Sequence, residues 1–267
     1  MIQLLPEQTE ALSELQRACQ EVGTQAVIIG AMAYRSWVRD QYRTTEDLDL
    51  AVALDLEELS NLTDRLEARG WLQNPKREHR WITQKGARVD LLPAGEKARR
   101  QKQLTWPVAE TTMSLVGFDH VFADAIEVEV APGLQARVVP LPVLVLLKIV
   151  SFLDDPARRE QDLRDVGSVM RLYESEGDRR FSDEVFAAGI DYESAGAYLL
   201  GLDLGRLCSE PDEVPVVERF LAQLSNEDSQ ILSVLARSGR PWLDENEQQV
   251  RTQAAALVAG FQGRRIA

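Results

Sequence analysis

The stretch Val27-Ile28-Ile29-Gly30-Ala31-Met32-Ala33, followed after a gap by Arg43-Thr44-Thr45-Glu46-Asp47-Leu48-Asp49-Leu50, decides how the first half of the chain is read. Ala26 to Ile29 is a short apolar run ending on Gly30, and Ala31 to Arg39 has helical spacing, so a strand delivers a glycine to the start of a helix. Backbone N–H groups at a helix start lack intrahelical partners, and a glycine lets an anion approach them closely. A plain strand-to-helix turn carries the same signature, so Gly30 and Ala31 point to phosphate only in company. Leu48 to Leu54 reads as the next strand. Asp47 and Asp49, two apart, put both carboxylates on one strand face and leave Leu48 and Leu50 for the other. Like charges so placed repel unless a metal ion or a cationic side chain stands between them. Hard divalent cations favour such oxygens.

Working outward, a third acid sits in a matching context. Val89-Asp90-Leu91-Leu92 is an apolar strand with one carboxylate inside it, and an acid there is costly to bury without a partner. If this strand lies beside the Asp47 strand, three carboxylates converge, and three acids can hold two metal ions for in-line displacement at phosphorus. Farther on, Lys148 interrupts the apolar helical run Val143 to Val150. Such a lysine either snorkels to the surface or points into a cleft where an anion meets it. Asp162 and Asp165, on the next helix, fit an ordinary helix charge pattern with Arg158, Arg159 and Arg164.

The 267 residues are 45% apolar, enough for a real core in one or two domains. Strands and helices alternate up to Pro140: helices at Pro6–Glu21 and Leu56–Arg69, strands at Trp71, His79–Thr83 and Arg88–Leu92, and a strand pair Ala125–Val130 and Gln135–Val139 around Pro132-Gly133. Beyond Pro140 the periodicity is helical throughout, at Leu141–Leu153, Pro156–Tyr173, Ser182–Ala188, Tyr192–Leu207, Val214–Leu224 and Glu245–Phe261. A boundary therefore falls there, with an α/β domain over 1–140 and a helical domain over 141–267. No apolar run approaches the roughly 18 residues that cross a bilayer, and Met1 to Glu10 lacks a leader pattern. Cys19 and Cys208 exclude a disulfide framework and a cysteine zinc site. A soluble, cytoplasmic protein without a membrane partner is expected.

The formal net charge of −13 disfavours a general nucleic-acid coat protein. Lys76 to Lys102 runs against it, with nine basic residues and three acidic ones. That segment is either a solvated loop face or a local groove for RNA, in which Trp81 and Trp106 could stack on a base. The other tryptophans, Trp37, Trp71 and Trp242, are assigned to packing. His79 and His120 have no metal-like spacing.

Taken together, Gly30, Arg43-x-Thr45-x-Asp47-Leu48-Asp49-Leu50 and Val89-Asp90-Leu91-Leu92 resemble the DNA polymerase β-like nucleotidyltransferases. The long gap between Gly30 and Asp47 is similar to the AbiEii-type toxins of abortive-infection toxin–antitoxin systems. So are Leu146-Leu147-Lys148-Ile149 and Gln161-Asp162-Leu163-Arg164-Asp165-Val166 in the second half. The chain departs from that pattern at Ala31, where a second glycine or a serine is usual, and at Gln161, where a basic residue is usual. The resemblance implies an α+β fold: a polymerase β-like domain of mixed sheet and flanking helices, then an all-helical domain, with substrate between them. It implies Mg²⁺ or Mn²⁺ on Asp47, Asp49 and Asp90. A nucleoside triphosphate would be held by Gly30, Ala31, Arg43, Thr45 and Lys148, with Asp162 and Asp165 positioning the lysine. It further implies transfer of a nucleoside monophosphate to an acceptor hydroxyl, for toxin members often on RNA such as the tRNA end, and a cognate antitoxin as partner. A small molecule or a protein side chain as acceptor, or an inactive protein-binding scaffold, remain the alternatives.

Overall fold

The apolar runs of the first 140 residues pair into one mixed, seven-stranded sheet. The computed structural model describes residues 4–38, 45–226, 229–237 and 246–263, and the chain divides into two compact units, Met1–Pro140 and Leu141–Ala267. In the first, α1 (Pro6–Val22), β1 (Ala26–Ile28), α2 (Gly30–Trp37), β2 (Asp47–Val52), a 3₁₀ turn (Leu56–Glu58) and α3 (Leu59–Glu67) follow one another. Then come β3 (Leu72–Asn74), β4 (Arg77–Ile82), β5 (Arg88–Pro93), α4 (Glu96–Gln101), β6 (Gln103–Thr105), β7 (Thr112–Ser114), α5 (Phe118–Ala123), β8 (Ile126–Ala131) and β9 (Leu134–Val138). The large sheet has the order β3-β4-β5-β2-β1-β9-β8, and β6 and β7 form a small separate hairpin. Among the described strands, only the β2–β5 and β1–β9 pairs are parallel.

Local chemistry accounts for these elements. The stripe Ala11, Leu12, Leu15, Ala18 and Cys19 gives α1 a buried face that packs with α3 and lies against β1. Burial pushes the Cys19 thiol up to about 12, so it behaves as a small apolar group, and neither cysteine is in a disulfide. α4 is too short to carry an amphipathic pattern. It is held from outside by the Asp55 carboxylate, which accepts from the backbone N–H groups of Lys97 and Ala98 at 3.1 and 2.9 Å. Glu78 on β4 likewise accepts from Val108 and Ala109 N and ties down the β6–β7 loop.

The second unit is helical: α6 (Leu141–Asp154), α7 (Glu160–Leu172), a 3₁₀ turn (Asp178–Phe181), α8 (Asp183–Ala187), α9 (Tyr192–Leu207), α10 (Glu213–Leu224), α11 (Ile231–Leu235) and α12 (Glu247–Gly263). α7 starts at Glu160 rather than at Pro156, because residues 155–159 form a turn in which the Asp155 carbonyl accepts from Arg158 and Arg159 N. Leu163, Val166, Val169 and Met170 form its buried stripe. α9 is buried nearly all round and packs along α12. The two backbones meet at glycines: a Cβ on Gly201 would overlap the Leu257 carbonyl, and one on Gly260 the Tyr198 carbonyl. Backbone cannot yield as a flexible side chain does. Gly201→Ala should therefore destabilise by about 1–3 kcal/mol, read as a lower midpoint in thermal unfolding; an unchanged midpoint would refute the close approach. Among the described residues no helix is long and apolar enough to cross a membrane.

Candidate active site

Strand register builds the site. β1 runs antiparallel to β2 with Ile28 opposite Leu50, and Ile29 N donates to the Asp49 carbonyl at 2.9 Å. The chain then turns at Gly30, whose φ is +64°. A Cβ there would overlap the Asp49 carboxylate, so glycine is required by conformation and by space. Asp49 thus hangs over the start of α2, whose N-cap residue, Ile29, offers no polar side chain to the first turn. On the other side, β2 pairs in parallel with β5, Asp49 opposite Asp90. β5 pairs antiparallel with β4, Asp90 opposite Arg80. Residues opposite one another on neighbouring strands share a face. Asp49, Asp90 and Arg80 therefore form one row across three strands, and Asp47 joins it from two residues away. Leu48, Leu50, Val89, Leu91 and Trp81, on the alternate positions, are all buried.

The Asp90 strand does lie beside the Asp47 strand, and an arginine stands among the acids. Among the described residues, no group of three or more His, Cys, Asp or Glu stands in a metal-holding arrangement. Arg80 has come between two of the acids. Its Nε and Nη2 donate to Asp90 Oδ1 and Oδ2, each at 2.8 Å, and Nη2 also donates to Asp47 Oδ2 at 2.7 Å. Arg88 Nε lies 2.9 Å from the other Asp47 oxygen, as an ion pair without hydrogen-bond geometry. His79 Nε2 lies 3.9 Å from Asp90 Oδ2, with its ring tilted against Trp106. The hydrogen bond to Asp90 drives the Arg80 pKa further above its ordinary value, against the opposing effect of burial. Asp90 is only 8% exposed, and a charge so enclosed needs this partner. The donor set nonetheless fits a hard divalent cation: its ligating atoms are carboxylate oxygens on one face, and in this structure they already hold a cation, the guanidinium. Arg80 went unremarked in the sequence except as one of nine basic residues. The available signal was its alternation with buried Trp81, which aims it to the acid face once β4 pairs with β5.

The remaining candidates are placed as follows. Ala31 is buried in the first turn of α2. Thr45 Oγ1 accepts from Asp47 N and donates to the Asp47 carbonyl, both at 3.2 Å, which anchors the start of β2. Arg43 and Trp242 lie outside the described residues. In the helical unit, Lys148 is 5% exposed and does not snorkel. Its Nζ sits 2.8 Å from Asp162 Oδ1 and 2.7 Å from Asp165 Oδ2. Gln161 Nε2 donates to Asp165 Oδ1 at 2.9 Å, so the residue that departs from the family pattern still serves this cluster. Burial disfavours the ammonium, but Asp165 and Asp162 outweigh it and raise the Lys148 pKa.

For the basic segment the sequence leaves open a solvated face or a groove, with base stacking by Trp81 and Trp106 as an alternative to packing. Seven of its nine basic residues, Arg80, Lys85, Arg88, Lys97, Arg99, Arg100 and Lys102, pair with carboxylates, most contributed from outside the segment. Much of the excess charge is therefore answered by carboxylates within the fold. Trp81 and Trp106 are buried, so packing rather than base stacking accounts for both.

A sequence profile of the family described as nucleotidyl transferase AbiEii toxin, type IV toxin–antitoxin system, matches residues 13–233. By class the protein is a nucleotidyltransferase. More narrowly, the chain belongs to the AbiEii toxin family. No curated protein sequence matches it. Among solved structures it is similar to an antigenic nucleotidyltransferase-like protein from Paracoccidioides brasiliensis, with 17% identity, a TM-score of 0.44, and 65% of this chain and 79% of that one covered. It is also similar to JHP933 from Helicobacter pylori, with 14% identity, a TM-score of 0.40, and 98% and 97% covered. A third likeness is to a Thermotoga maritima CCA-adding enzyme complexed with tRNA, with 15% identity, a TM-score of 0.31, and 88% and 53% covered.

Proposed function

We propose that this nucleotidyltransferase joins a nucleoside monophosphate to a hydroxyl of RNA, with the tRNA acceptor end as the first candidate, and that Asp47, Asp49 and Asp90 hold Mg²⁺ or Mn²⁺. The observation that carries the reading is the row Asp49–Asp90 beside the tight turn at Gly30. It sets anionic ligands next to backbone donors, the two things a metal-bound triphosphate needs. In the reaction the acceptor oxygen attacks the α-phosphorus, the bond to the β-phosphate oxygen breaks, and pyrophosphate leaves. Gly30 and Ala31 N–H groups are assigned to the β- and γ-phosphates, and Asp90 to the proton of the attacking hydroxyl. In the helical unit, Asp162 and Asp165 fix the Lys148 ammonium. The divalent cation, when bound, would neutralise phosphate charge and polarise the reacting oxygens. Positioning and electrostatics account for nearly all of the acceleration in such transfers. The toxin-family membership is what favours RNA as acceptor and an antitoxin as regulator; the internally paired basic segment adds nothing to it.

The test is incubation of the protein with each α-labelled nucleoside triphosphate, Mg²⁺ and either total RNA or a protein mixture. Label in an RNA band, lost after ribonuclease, is the expected result. Label confined to protein or to a small molecule would overturn the RNA acceptor, and no label in any fraction would overturn the transfer reading itself.

A further inference from the structure

Arg80 is a larger presence at the site than a neutralising neighbour needs to be. One guanidinium makes three hydrogen bonds of 2.7–2.8 Å to two different acids. It reaches them from β4, directly opposite Asp90. The oxygens it occupies, Asp90 Oδ1 and Oδ2 and Asp47 Oδ2, are the oxygens a divalent cation would use. A guanidinium and a metal ion cannot share them: both are cations, and the N–H fork fills the space in which a metal would be ligated. Resting on the reading that Asp47, Asp49 and Asp90 form the metal site, we propose that Arg80 is a resident counter-cation that competes with the divalent ion for Asp47 and Asp90, so that metal enters only as the guanidinium withdraws.

Two consequences follow from the geometry. The protein resists free divalent cations when no nucleotide is present, since the acids are already neutralised. A metal–triphosphate complex has an advantage that bare metal lacks, because its phosphates offer the displaced guanidinium a new anionic partner.

The experiment measures Mn²⁺ binding to the full-length protein by calorimetry, without nucleotide, for wild type, Arg80→Gln and Arg80→Lys. Gln keeps length and polarity without charge; Lys keeps charge without the fork. An opposite charge at this distance changes a proton's affinity for a carboxylate by roughly one to three powers of ten, so Arg80→Gln should bind Mn²⁺ at least about tenfold more tightly than wild type. Arg80→Lys should fall between them. The thermal midpoint of metal-free Arg80→Gln should drop, and added Mn²⁺ should raise it by more than it raises the wild type's. A merely structural arginine would leave the affinity unchanged or weaken it, and either result overturns the proposal while leaving the metal site standing. Should Arg80→Gln fail to fold, Arg80→Lys decides alone: affinity no better than wild type overturns the proposal. Absence of Mn²⁺ binding in all three proteins, with and without a nonhydrolysable triphosphate, overturns the metal site and the proposal together.

Discussion

Asp49→Asn is expected to lower nucleotidyl transfer by on the order of 10²–10³-fold or more, the scale seen when one preorganised charge contact to a transition state is removed. The substitution is nearly isosteric, and Asn fits against Gly30 as Asp does, where the approach is already too close for a Cβ. Stability should therefore change little, because one of several acids crowded on a strand face is neutralised without opening a void. The measurement is label transfer from an α-labelled triphosphate beside a thermal melt of the same preparation. Activity within a few-fold of wild type would remove Asp49 from the site. A collapse of both activity and melting point would recast it as a fold residue.

The second large effect belongs to stability. Lys148→Met leaves Asp162 and Asp165 facing each other inside the helical unit without the ammonium that bridges them. Arg159, 3.8 Å from Asp162, is itself more than half exposed. Removing one member of a buried ionic cluster costs about 3–5 kcal/mol, chiefly because an unpaired charge stays behind. Urea unfolding should show that loss, and Lys148→Met combined with Asp165→Asn should recover part of it. If the single variant is as stable as wild type, the cluster does not hold the fold. The same pair fixes a pH dependence. The Lys148 pKa is raised above its ordinary 10.5, so its contribution is complete below that value. It is lost only as pH rises through the higher folded-state pKa, and an alkaline unfolding series compared with Lys148→Met would reveal it.

Much of this architecture follows from short-range pattern. Apolar runs ending on Gly30, alternation around Asp47 and Asp49, the acid inside Val89–Leu92 and the helical periods after Pro140 each depend on neighbours a few residues away. α4, β6, β7 and α5 do not. Asp55 builds the first turn of α4 from some forty residues upstream, and Glu78 holds the β6–β7 loop from thirty, so nothing within those segments announces them. The site divides the same way. The sequence places the acids on one face, but which cation answers them depends on the antiparallel register that sets Arg80 opposite Asp90. The basic segment misleads for a related reason: Glu10, Glu46, Glu57 and Asp119, which neutralise it, are remote in sequence.

The backbone-to-backbone seam of α9 and α12 bears on how the protein is made in the cell. α9 is apolar on nearly every side, and the helix that covers it backbone against backbone spans Glu247–Gly263. A ribosome adding ~5–20 residues per second delivers that cover a few seconds after α9 has been synthesised. Throughout that interval the side of α9 that α12 covers is bare, while α6 and α7, which also pack on α9, and every strand of the sheet unit already exist. The acid row can therefore form on a chain whose second half is still incomplete, and the period in which the newborn polypeptide most needs a chaperone is the one just before α12 emerges.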